Sequence, residues 1–295
     1  MKFAIVGLGS IGKRHKKNLE LLGHQIIPCH RNDNLEKLLK PEKADGVLVC
    51  NPTALHIPTA LVAVEIGCHI FIEKPISHNL DGVDKLLKLV KNKKLVLQVG
   101  HEMRLHPGII KLKQQLDKKV IGKVYSARIE AGQYLPDWRP GQDYKKSYSA
   151  KKELGGGVLL DLSHEIDYAV WFFGRAKKVL AMIKKVPELE IETEALVEML
   201  IEFKSGVIAE IHLDYLQRQY RRSCQIIGSQ GNLFWEDKRD KKFDPNQPYV
   251  EEIKNFVAAI KGEERPKGNG EENKHVLEII VAAKKSAKLE KTIKL

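Results

Sequence analysis

Short apolar runs alternate with helical patterns along the first third of the chain. The predicted strands are Lys2–Val6, Gln25–Cys29, Gly46–Cys50, His69–Ile72 and Leu95–Val99. The segments between them have helical spacing, and Gly23 and Gly67 stand where a left-handed cap would end two of these helices. Continuous apolar strands are typical of a parallel sheet that helices cover on both faces. The pattern therefore predicts a doubly wound α/β fold for residues 1–119.

The hydrophobic period changes to two after Gly122. Alternating or apolar runs occupy Val124–Ala131, Val179–Val186, Thr193–Phe203, Val207–Tyr215, Cys224–Gly228 and Leu233–Trp235. Such a period indicates a broad sheet with two unlike faces, one of which must pack on helices. Amphipathic helices close the chain within residues 250–290. We predict a second domain, residues 120–295, built as an α/β unit on a mostly antiparallel sheet.

Composition limits the class of protein. The chain has 295 residues, and 43% of them are apolar, which suits two folded domains and argues against disorder. No apolar run reaches the length needed to cross a bilayer, and the first strand starts at Lys2, so we expect a cytoplasmic protein without a signal peptide. The cysteines have no Cys-x-x-Cys spacing, so we expect buried thiols and no metal site.

The net charge of +12 raises the question of nucleic-acid binding. The lysines occur in pairs along nearly every predicted helix, whereas a nucleic-acid reader concentrates its basic residues on one face. We therefore predict no nucleic-acid partner. A positive field still favours anionic small molecules such as dinucleotides, sugar acids or sugar phosphates.

The stretch GLGSIG matches Gly-x-Gly-x-x-Gly through Gly7, Gly9 and Gly12. It follows a predicted strand and opens a helix, which is the context that gives this weak motif meaning. Gly7 permits the tight turn, Gly9 lets the backbone approach a pyrophosphate, and Gly12 lets the helix pack near the strand. The alternative is an ordinary glycine-rich turn. The context favours a Rossmann domain whose helix start binds a dinucleotide.

The ribose position departs from the NAD pattern. A carboxylate at the end of the second strand would bind the 2′-hydroxyl of NAD, but the chain has His30 and Arg31 there, with Asp33 further along. Because a cation suits a 2′-phosphate, we favour NADP over NAD. Arg31 stacking on adenine, with NAD as cofactor, is the alternative.

Lys74 stands at the tip of the fourth predicted strand, between Glu73 and Pro75. The carboxyl ends of parallel strands form the ligand crevice of a doubly wound sheet, so Lys74 should lie near a bound nicotinamide. Burial near other cations would lower its pKa into a useful range. A lysine that only snorkels to the surface is the alternative.

The stretch GGGVLLDLSHEIDYAVWFFG is predicted to be one helix led by glycines. Leu159, Leu162, Ile166, Ala169 and Phe173 form an apolar stripe, and Asp161, His164, Glu165 and Tyr168 share the opposite face. Ionisable groups on such an apolar helix indicate a function, with plain surface exposure as the alternative.

Residues 132–150 form a long segment with no period, and such segments in compact domains are commonly functional. Its aromatic side chains suit stacking on a sugar ring, and Arg139 suits a bidentate clamp on a negative group. A surface loop pinned by Trp138 is the alternative. The candidate substrate residues of this segment are Tyr134, Trp138, Arg139 and Tyr144. His101 and Arg104, which follow the fifth strand, and Glu165 of the glycine-led helix are further candidates.

The motifs GLGSIG, CNPTALH, EKP and GGGVLLDLSHEID occur in the order and spacing of the Gfo/Idh/MocA oxidoreductases, which the chain resembles over nearly its whole length. The resemblance implies an N-terminal Rossmann domain and a C-terminal α/β domain with a large open sheet. It implies NAD(P)-dependent chemistry on hydroxyl or carbonyl groups of sugars, sugar acids, nucleotide sugars or cyclitols. It also implies a homodimer or homotetramer assembled through the open sheet.

The resemblance carries three catalytic residues onto this chain. Lys74 matches the lysine of EKP, and Asp161 and His164 match the aspartate and histidine of the family helix. The family spacing is Asp-x-x-x-His, whereas this chain has Asp161-x-x-His164. Glu165, four residues after Asp161, is an alternative that would share the role of Asp161. The cofactor residues are Gly7, Gly9, Ser10, Ile11, Gly12, His30, Arg31, Cys50, Asn51, Pro52, Thr53, His56, Glu73 and Lys74.

Our hypothesis is a dehydrogenase in which His164 is the general base, Lys74 stabilises the developing alkoxide, and Asp161 orients the pair. We expect Lys74 and His164 to act at one nicotinamide ring. Two other functions remain open at this stage. One is a lyase or epimerase with tightly bound NAD, and the other is a non-catalytic NAD(P) sensor.

Overall fold

The computed structural model describes residues 1–30, 33–240 and 243–295. Its strands are β1 (Lys2–Val6), β2 (Gln25–Cys29), β3 (Gly46–Val49), β4 (His69–Glu73), β5 (Leu97–Gly100), β6 (Val124–Gly132), β7 (Ala176–Lys184), β8 (Leu196–Phe203), β9 (Ile208–Asp214), β10 (Arg221–Gly228), β11 (Gly231–Glu236) and β12 (Ile293–Lys294). Its α-helices are α1 (Ser10–Leu21), α2 (Leu35–Glu42), α3 (His56–Ile66), α4 (Val83–Asn92), α5 (Pro107–Asp117), α6 (Val158–Asp161), α7 (His164–Phe173), α8 (Gln247–Ile260) and α9 (Gly270–Leu289).

The chain divides into two compact units that are discontinuous in sequence. The first contains Met1–Leu105 and Pro245–Lys274, and the second contains His106–Asp244 and His275–Leu295. The sequence-based boundary between residues 119 and 120 falls inside the second unit, and α8 groups with the first. A helix distant in sequence from its sheet cannot be assigned to that sheet from periodicity alone.

The first unit is the predicted doubly wound parallel sheet, with strand order β2-β1-β3-β4-β5. The strands β3 and β5 are buried at every position, which explains their continuous apolar sequences. Gly23 and Gly67 follow α1 and α3 with φ of 78° and 95°. This left-handed backbone is the conformation expected of glycine caps.

The core of the first unit joins both ends of its sequence. Phe3 of β1 and Phe71 of β4 pack against Phe256 of α8, with ring centroids 6.0 and 5.7 Å from that ring. All three side chains are fully buried. Helix α8 therefore covers this sheet, and it brings the polar residues of its own buried face to the same core.

The second unit contains a sheet in the order β11-β10-β6-β9-β8-β7-β12. Its pairings are antiparallel except that of β6 with β9, which is parallel. The two faces of the sheet differ, as the period of two predicted. Val197, Met199 and Ile201 of β8 are buried, while Glu198 and Leu200 between them are exposed.

The predicted single helix over residues 158–174 is interrupted. Helix α6 ends at Asp161 and α7 begins at His164, and the connecting Leu162 has φ −100° and ψ 36°. Almost all of the segment is buried, including its polar side chains. The prediction of one polar and one apolar face was therefore wrong for this segment. Helix α5, whose start is capped by the His106 side chain, was not predicted, although Ile109 and Leu112 have helical spacing.

None of the helices in the described ranges has the length and apolar run needed to cross a membrane.

The outer face of the second sheet carries a histidine held by two carboxylates. His212 of β9 has its Nδ1 2.7 Å from Glu198 Oε1 and its Nε2 2.8 Å from Asp214 Oδ2. The hydrogen bond with Asp214 contributes most to raising the pKa of His212 from 6.5 to about 9. The folded state therefore binds this proton more tightly than the unfolded chain does.

The raised pKa predicts a dependence of stability on pH. Because the folded-state pKa lies above the unfolded value, the contribution of His212 is fully present below pH 6.5 and is lost as pH rises through about 9. The free energy of unfolding, measured with denaturant, should therefore fall as pH rises from 6.5 to about 9, and it should fall less in His212→Gln. His24→Gln is the control, because burial lowers the pKa of His24. Equal slopes of unfolding free energy against pH for the wild type and His212→Gln would contradict this prediction.

Candidate active site

The glycine turn between β1 and α1 has the close approaches that a dinucleotide site requires. Gly7 has φ 96°, and a Cβ there would lie 2.6 Å from the Asn51 backbone nitrogen. A Cβ on Gly12 would lie 1.9 Å from the Gly7 carbonyl oxygen. A Cβ on Gly9 would meet no atom within 4 Å, so this glycine faces open space. The turn is closed where the protein packs on itself and open where a pyrophosphate would approach, so these residues fit the dinucleotide.

The start of α1 supplies the donors for phosphate. Gly9 and Ser10 are exposed and Ile11 is half-buried, and the N-cap residue is Gly9, which has no side chain to bond to the helix. The first amides of a helix have no carbonyl partner within the helix, so they are free to bind an anion. Lys13 N already bonds to Gly9 O, which sets the helix direction from the turn.

The ends of β3 and β4 are joined by a buried histidine. The ring nitrogens of His56 lie 2.9 Å from Asn51 O and 2.8 Å from Pro75 O. Burial lowers the pKa of His56, and a neutral ring has a single N–H, so it donates to one of these two oxygens. His56 is 1% exposed and lies between the backbone of Asn51 and that of Pro75, so it packs beside the Lys74 turn.

Lys74 follows β4 on this same turn. Its side chain is half-buried, and the Lys74–Pro75 peptide bond is cis. Glu73 before it is buried and pairs with His15 of α1, Nε2 to Oε1, at 2.5 Å. The structure thus places Lys74, Asn51 and the glycine turn at the carboxyl ends of neighbouring strands.

The other predicted cofactor residues differ in accessibility. His30 is exposed after β2, and its backbone amide donates to Asp33 Oδ2 at 2.7 Å. Arg31 lies outside the described residues. Cys50 and Thr53 are buried, and Pro52 is half-buried beside them. Burial raises the pKa of the Cys50 thiol well above its usual range, so Cys50 is a packing residue of the strand end.

Two candidate substrate residues of the first unit are deeply buried. His101 is 2% exposed and follows β5. Arg104 is 5% exposed and donates through Nη1 to Lys267 O at 2.8 Å and to Glu272 Oε2 at 2.5 Å. Because Arg104 already has a carboxylate and a carbonyl as partners, we leave it out of the proposed substrate set.

Asp161 of the second unit is held by two tyrosines. Tyr215, which follows β9, donates its hydroxyl to Asp161 Oδ2 at 2.6 Å, and the hydroxyl of Tyr148 bonds to the same side chain. Burial, followed by the charge of Asp161, raises the pKa of both tyrosines well above the usual value. Both phenols therefore stay protonated as donors, and they hold the carboxylate in one orientation.

His164 begins α7, three residues after Asp161, and is 4% exposed. Its neighbour Glu165 is fully buried, with Oε1 2.9 Å from Nε of Arg222 on β10. This contact is an ion pair between groups of opposite charge in a dry environment. Because Arg222 is its partner, we also leave Glu165 out of the proposed substrate set.

The irregular segment after β6 collects the predicted aromatic residues. Trp138 donates through Nε1 to Gln133 O at 3.1 Å, and its ring stands perpendicular to that of Tyr215 at 5.2 Å. Tyr144 donates to Leu189 O at 3.2 Å. With exposed Arg139, they line a small surface pocket. Tyr134 lies elsewhere on the segment, under Arg218.

Sequence reasoning missed the two tyrosines on Asp161. Tyr215 continues the inward phase of β9 after Ile211 and Leu213, and a buried phenol needs a hydrogen-bond partner, so its pattern held a signal. Tyr148 lies in a segment without periodicity, and nothing in its local sequence pointed to Asp161.

The open side of Gly9 gives a test of the dinucleotide site. Gly9→Ala should fold normally, because the added Cβ meets nothing, yet it should weaken NADH binding by about tenfold or more, because the methyl group occupies the approach path of the pyrophosphate. Gly12→Ala is the comparison and should also lower the melting temperature, since its Cβ would overlap Gly7 O. Wild-type NADH affinity in Gly9→Ala, measured by fluorescence titration, would place the cofactor elsewhere.

Comparison with known proteins gives the same assignment. Residues 23–101 match a sequence profile described as the oxidoreductase family, NAD-binding Rossmann fold, and residues 109–234 match the GFO/IDH/MocA C-terminal domain. The chain is 29% identical to the myo-inositol 2-dehydrogenase of Thermotoga maritima, with 100% of this chain and 98% of that protein covered.

Solved structures share the fold over the whole chain. A probable dehydrogenase from Thermotoga maritima has a TM-score of 0.85 at 25% identity, covering 100% of this chain and 98% of that one. The WlbA dehydrogenase from Bordetella pertussis, solved with NADH and UDP-GlcNAcA, has a TM-score of 0.88 at 20% identity with the same coverage. The second likeness shows the fold alone. The matched profiles, together with the glycine turn and the Lys74 turn, establish that the chain is an NAD-binding oxidoreductase of the Gfo/Idh/MocA family.

Proposed function

We propose that this enzyme transfers hydride between NAD(P) and a secondary alcohol of a sugar or cyclitol. The observation that carries the proposal is the half-buried Lys74 on a turn fixed by His56, at the same sheet edge as the open glycine turn. The likeness to an inositol dehydrogenase over the full chain supports a polyhydroxylated substrate.

The nicotinamide supplies hydride chemistry when bound, so the protein has to orient the alcohol and manage one proton. In this proposal His164 accepts the hydroxyl proton as general base. Lys74 donates a hydrogen bond to the oxygen as negative charge develops on it. The backbone on both sides of Lys74 is held by buried side chains, which limits the positions that its side chain can take.

Asp161 acts as an orienting residue in this scheme. Its carboxylate is fixed by the hydroxyls of Tyr215 and Tyr148, so it offers a charge of defined direction. The family spacing has one more residue between the aspartate and the histidine. In this chain α6 ends at Asp161 and α7 begins at His164, so the pair is presented by a helix break.

Substrate binding is proposed for the pocket lined by Trp138, Arg139 and Tyr144. Arg139 is exposed and lies near Tyr148. Its charge acts to lower the pKa of that phenol, but burial and Asp161 have the larger effect and the pKa is raised overall. Its aromatic side chains suit stacking on a sugar ring, and its charged members, Arg139 and Asp143, suit hydrogen bonds with ring substituents. Tyr134 stays a candidate, but its ring is already covered by the Arg218 guanidinium at 3.6 Å.

The preferred cofactor is proposed to be NADP. The residue after β2 is His30, followed by Arg31 in the sequence, and the nearby carboxylate of Asp33 accepts the backbone amide of His30. In the sequence, a cation follows the second strand where NAD-binding proteins carry a carboxylate for the ribose 2′-hydroxyl, which suits a 2′-phosphate.

A parallel substrate screen tests both proposals. Inositols, hexoses and their uronic acids are incubated with NAD and with NADP, and absorbance near 340 nm is followed. We expect turnover with at least one polyol and a higher kcat/KM with NADP. Absence of turnover with either cofactor would refute the dehydrogenase function, and a higher kcat/KM with NAD would refute only the cofactor preference.

Substitution of Lys74 tests the catalytic role. Lys74→Ala should lower kcat by about 10²–10⁴-fold, the range for a lost proton-handling group, and leave NADH affinity within a few-fold. Lys85→Ala on α4 is the matched control, because Lys85 is exposed and belongs to the same unit. Near-normal kcat in Lys74→Ala would remove Lys74 from the mechanism.

The enzyme is further proposed to form a homo-oligomer through the outer face of the second sheet. Leu180 and Met182 of β7, Leu200 of β8 and Ile208 of β9 are 42%, 66%, 47% and 50% exposed. Leu180 and Leu200 are direct cross-strand partners, so the apolar surface is continuous there. Contiguous exposed apolar surface on a sheet is typical of protein–protein interfaces.

Light scattering tests the oligomer. Wild type should have at least twice the 33.5 kDa mass of the chain, and Leu200→Glu should shift it towards the monomer, because a buried unpaired charge opposes association. Leu21→Glu, at an exposed position on α1, is the control and should leave the mass unchanged. A wild-type monomer at micromolar concentration would refute the proposal.

A further inference from the structure

Three ionisable side chains meet in the core of the first unit, directly behind the Lys74 turn. They are His15 of α1, Glu73 of β4 and Glu252 of α8, with 0%, 7% and 2% exposure. One nitrogen or oxygen atom from each lies within 4.8 Å of the others. Buried groups of this kind are rare unless they are paired, because desolvation disfavours their charged forms.

The separation of His15 and Glu73 indicates a direct hydrogen bond. Nε2 of His15 lies 2.5 Å from Oε1 of Glu73. At this distance the two atoms share one proton, and no other atom fits between them. Two ligands of one zinc ion would stand about 3 Å apart, since each lies about 2.0–2.2 Å from the metal. The geometry therefore favours a shared proton over a metal ion.

A second carboxyl group, that of Glu252, lies beside this pair. Glu73 and Glu252 both raise the pKa of the Cys50 thiol, after burial, so both lie near the end of β3. Two carboxyl groups close together in a dry site repel each other when charged, and the imidazole of His15 lies within 4.8 Å of an oxygen of each.

The surroundings of the cluster are also defined. The Phe71 ring stands edge-on to His15 at 5.2 Å, and the Tyr249 ring of α8 does so at 6.1 Å. Tyr249 donates to Glu102 Oε1 at 3.1 Å and carries the Arg14 guanidinium over its ring at 4.4 Å. Arg14 and Glu102 are therefore two charged groups near the cluster, each lying against Tyr249.

The cluster connects the two turns that the proposed chemistry needs. Helix α1, which carries His15, begins at the glycine turn, and Glu73 directly precedes Lys74. Helix α8 is fixed to β5 because Gln98 Nε2 donates to Glu252 O at 3.1 Å. A hydrogen bond from α1 to the end of β4 therefore ties the phosphate-binding turn to the backbone of Lys74.

We propose that His15 and Glu252 are positioning residues, which hold Glu73 by a shared proton and so fix the Lys74 turn relative to the cofactor turn. The catalytic part of this inference rests on the proposed dehydrogenase function. The link between the two turns is structural and can be measured without turnover.

Three variants separate the shared proton from simple packing. His15→Leu removes the donor, His15→Gln retains an N–H that can reach a carboxylate, and Glu252→Gln removes one charge. Asn18→Ala is the matched control, because Asn18 is also buried on α1 and its side chain pairs with that of Asn246 at 2.9 Å. Each variant is compared with the wild type by melting temperature, NADH titration, kcat and KM.

We expect His15→Leu to lower kcat by about tenfold or more, since small misplacements of a catalytic group have large effects, and to weaken NADH binding several-fold. His15→Gln should recover most of both losses, and Glu252→Gln should lower kcat with little change in KM. Asn18→Ala should change neither kcat nor NADH affinity by more than about twofold. In one-dimensional proton NMR, the wild type and Asn18→Ala should share a far-downfield imidazole resonance that His15→Gln lacks.

Three results would overturn the proposal. Equal losses in Asn18→Ala and His15→Leu would reduce the role of His15 to packing between α1 and α8. Absence of the downfield resonance would remove the shared proton, and one equivalent of bound metal by elemental analysis would replace it with a metal site. A wild type without turnover on any alcohol refutes the dehydrogenase instead, and the NADH and NMR results then decide the positioning role.

Discussion

The close approach of backbone to backbone at the glycine turn is the constraint on which the first unit depends. Gly7 lies against the end of β3, and Gly12 lies against Gly7, with no space for a side chain at either position. This packing fixes where α1 starts and which way it runs. The direction of α1 in turn places His15 against Glu73, the residue before Lys74. The glycine turn and the position of Lys74 therefore share one structural origin.

The second unit uses a different device to orient its ionisable residues. Its glycine-led segment is almost wholly buried, so each polar side chain there requires a partner. Asp161 has Tyr215 and Tyr148, whereas Glu165 has Arg222. Two neighbouring carboxyl groups thus have different partners: phenol hydroxyls bond to Asp161, and a guanidinium lies beside Glu165. This difference is the reason for keeping Asp161 in the proposed mechanism and leaving Glu165 out of it.

Much of the fold could be predicted from local patterns. Strands that are apolar at every position indicate a parallel sheet covered on both faces, and strands with a period of two indicate a sheet with one buried face. Both patterns are local, because each residue is buried or exposed according to its own side chain. The break between Asp161 and His164 was not predictable in this way, because a segment buried on all sides has no amphipathic period. Partners distant in sequence, such as Arg104 with Glu272 or Asp161 with Tyr215, also leave no local signal.

The candidate site was predicted in part for the same reason. Motif residues at strand ends, such as Lys74 and Asn51, could be placed because topology alone brings the carboxyl ends of parallel strands to one edge. His56 was predicted to bind cofactor, yet the structure gives it the backbone oxygens of Asn51 and Pro75 as partners. Motif spacing identifies that such a residue matters, but only the packed structure shows whether it faces the ligand or supports a neighbour.

The central claim is that Lys74 and His164 handle the proton of one reaction. A double-mutant cycle on kcat tests it most directly, using Lys74→Ala, His164→Gln and the combined variant. Residues that act as a unit give strongly non-additive losses, so the double variant should be little slower than the slower single variant. Losses that multiply, each residue lowering kcat by the same factor whether or not the other is present, would contradict a shared step.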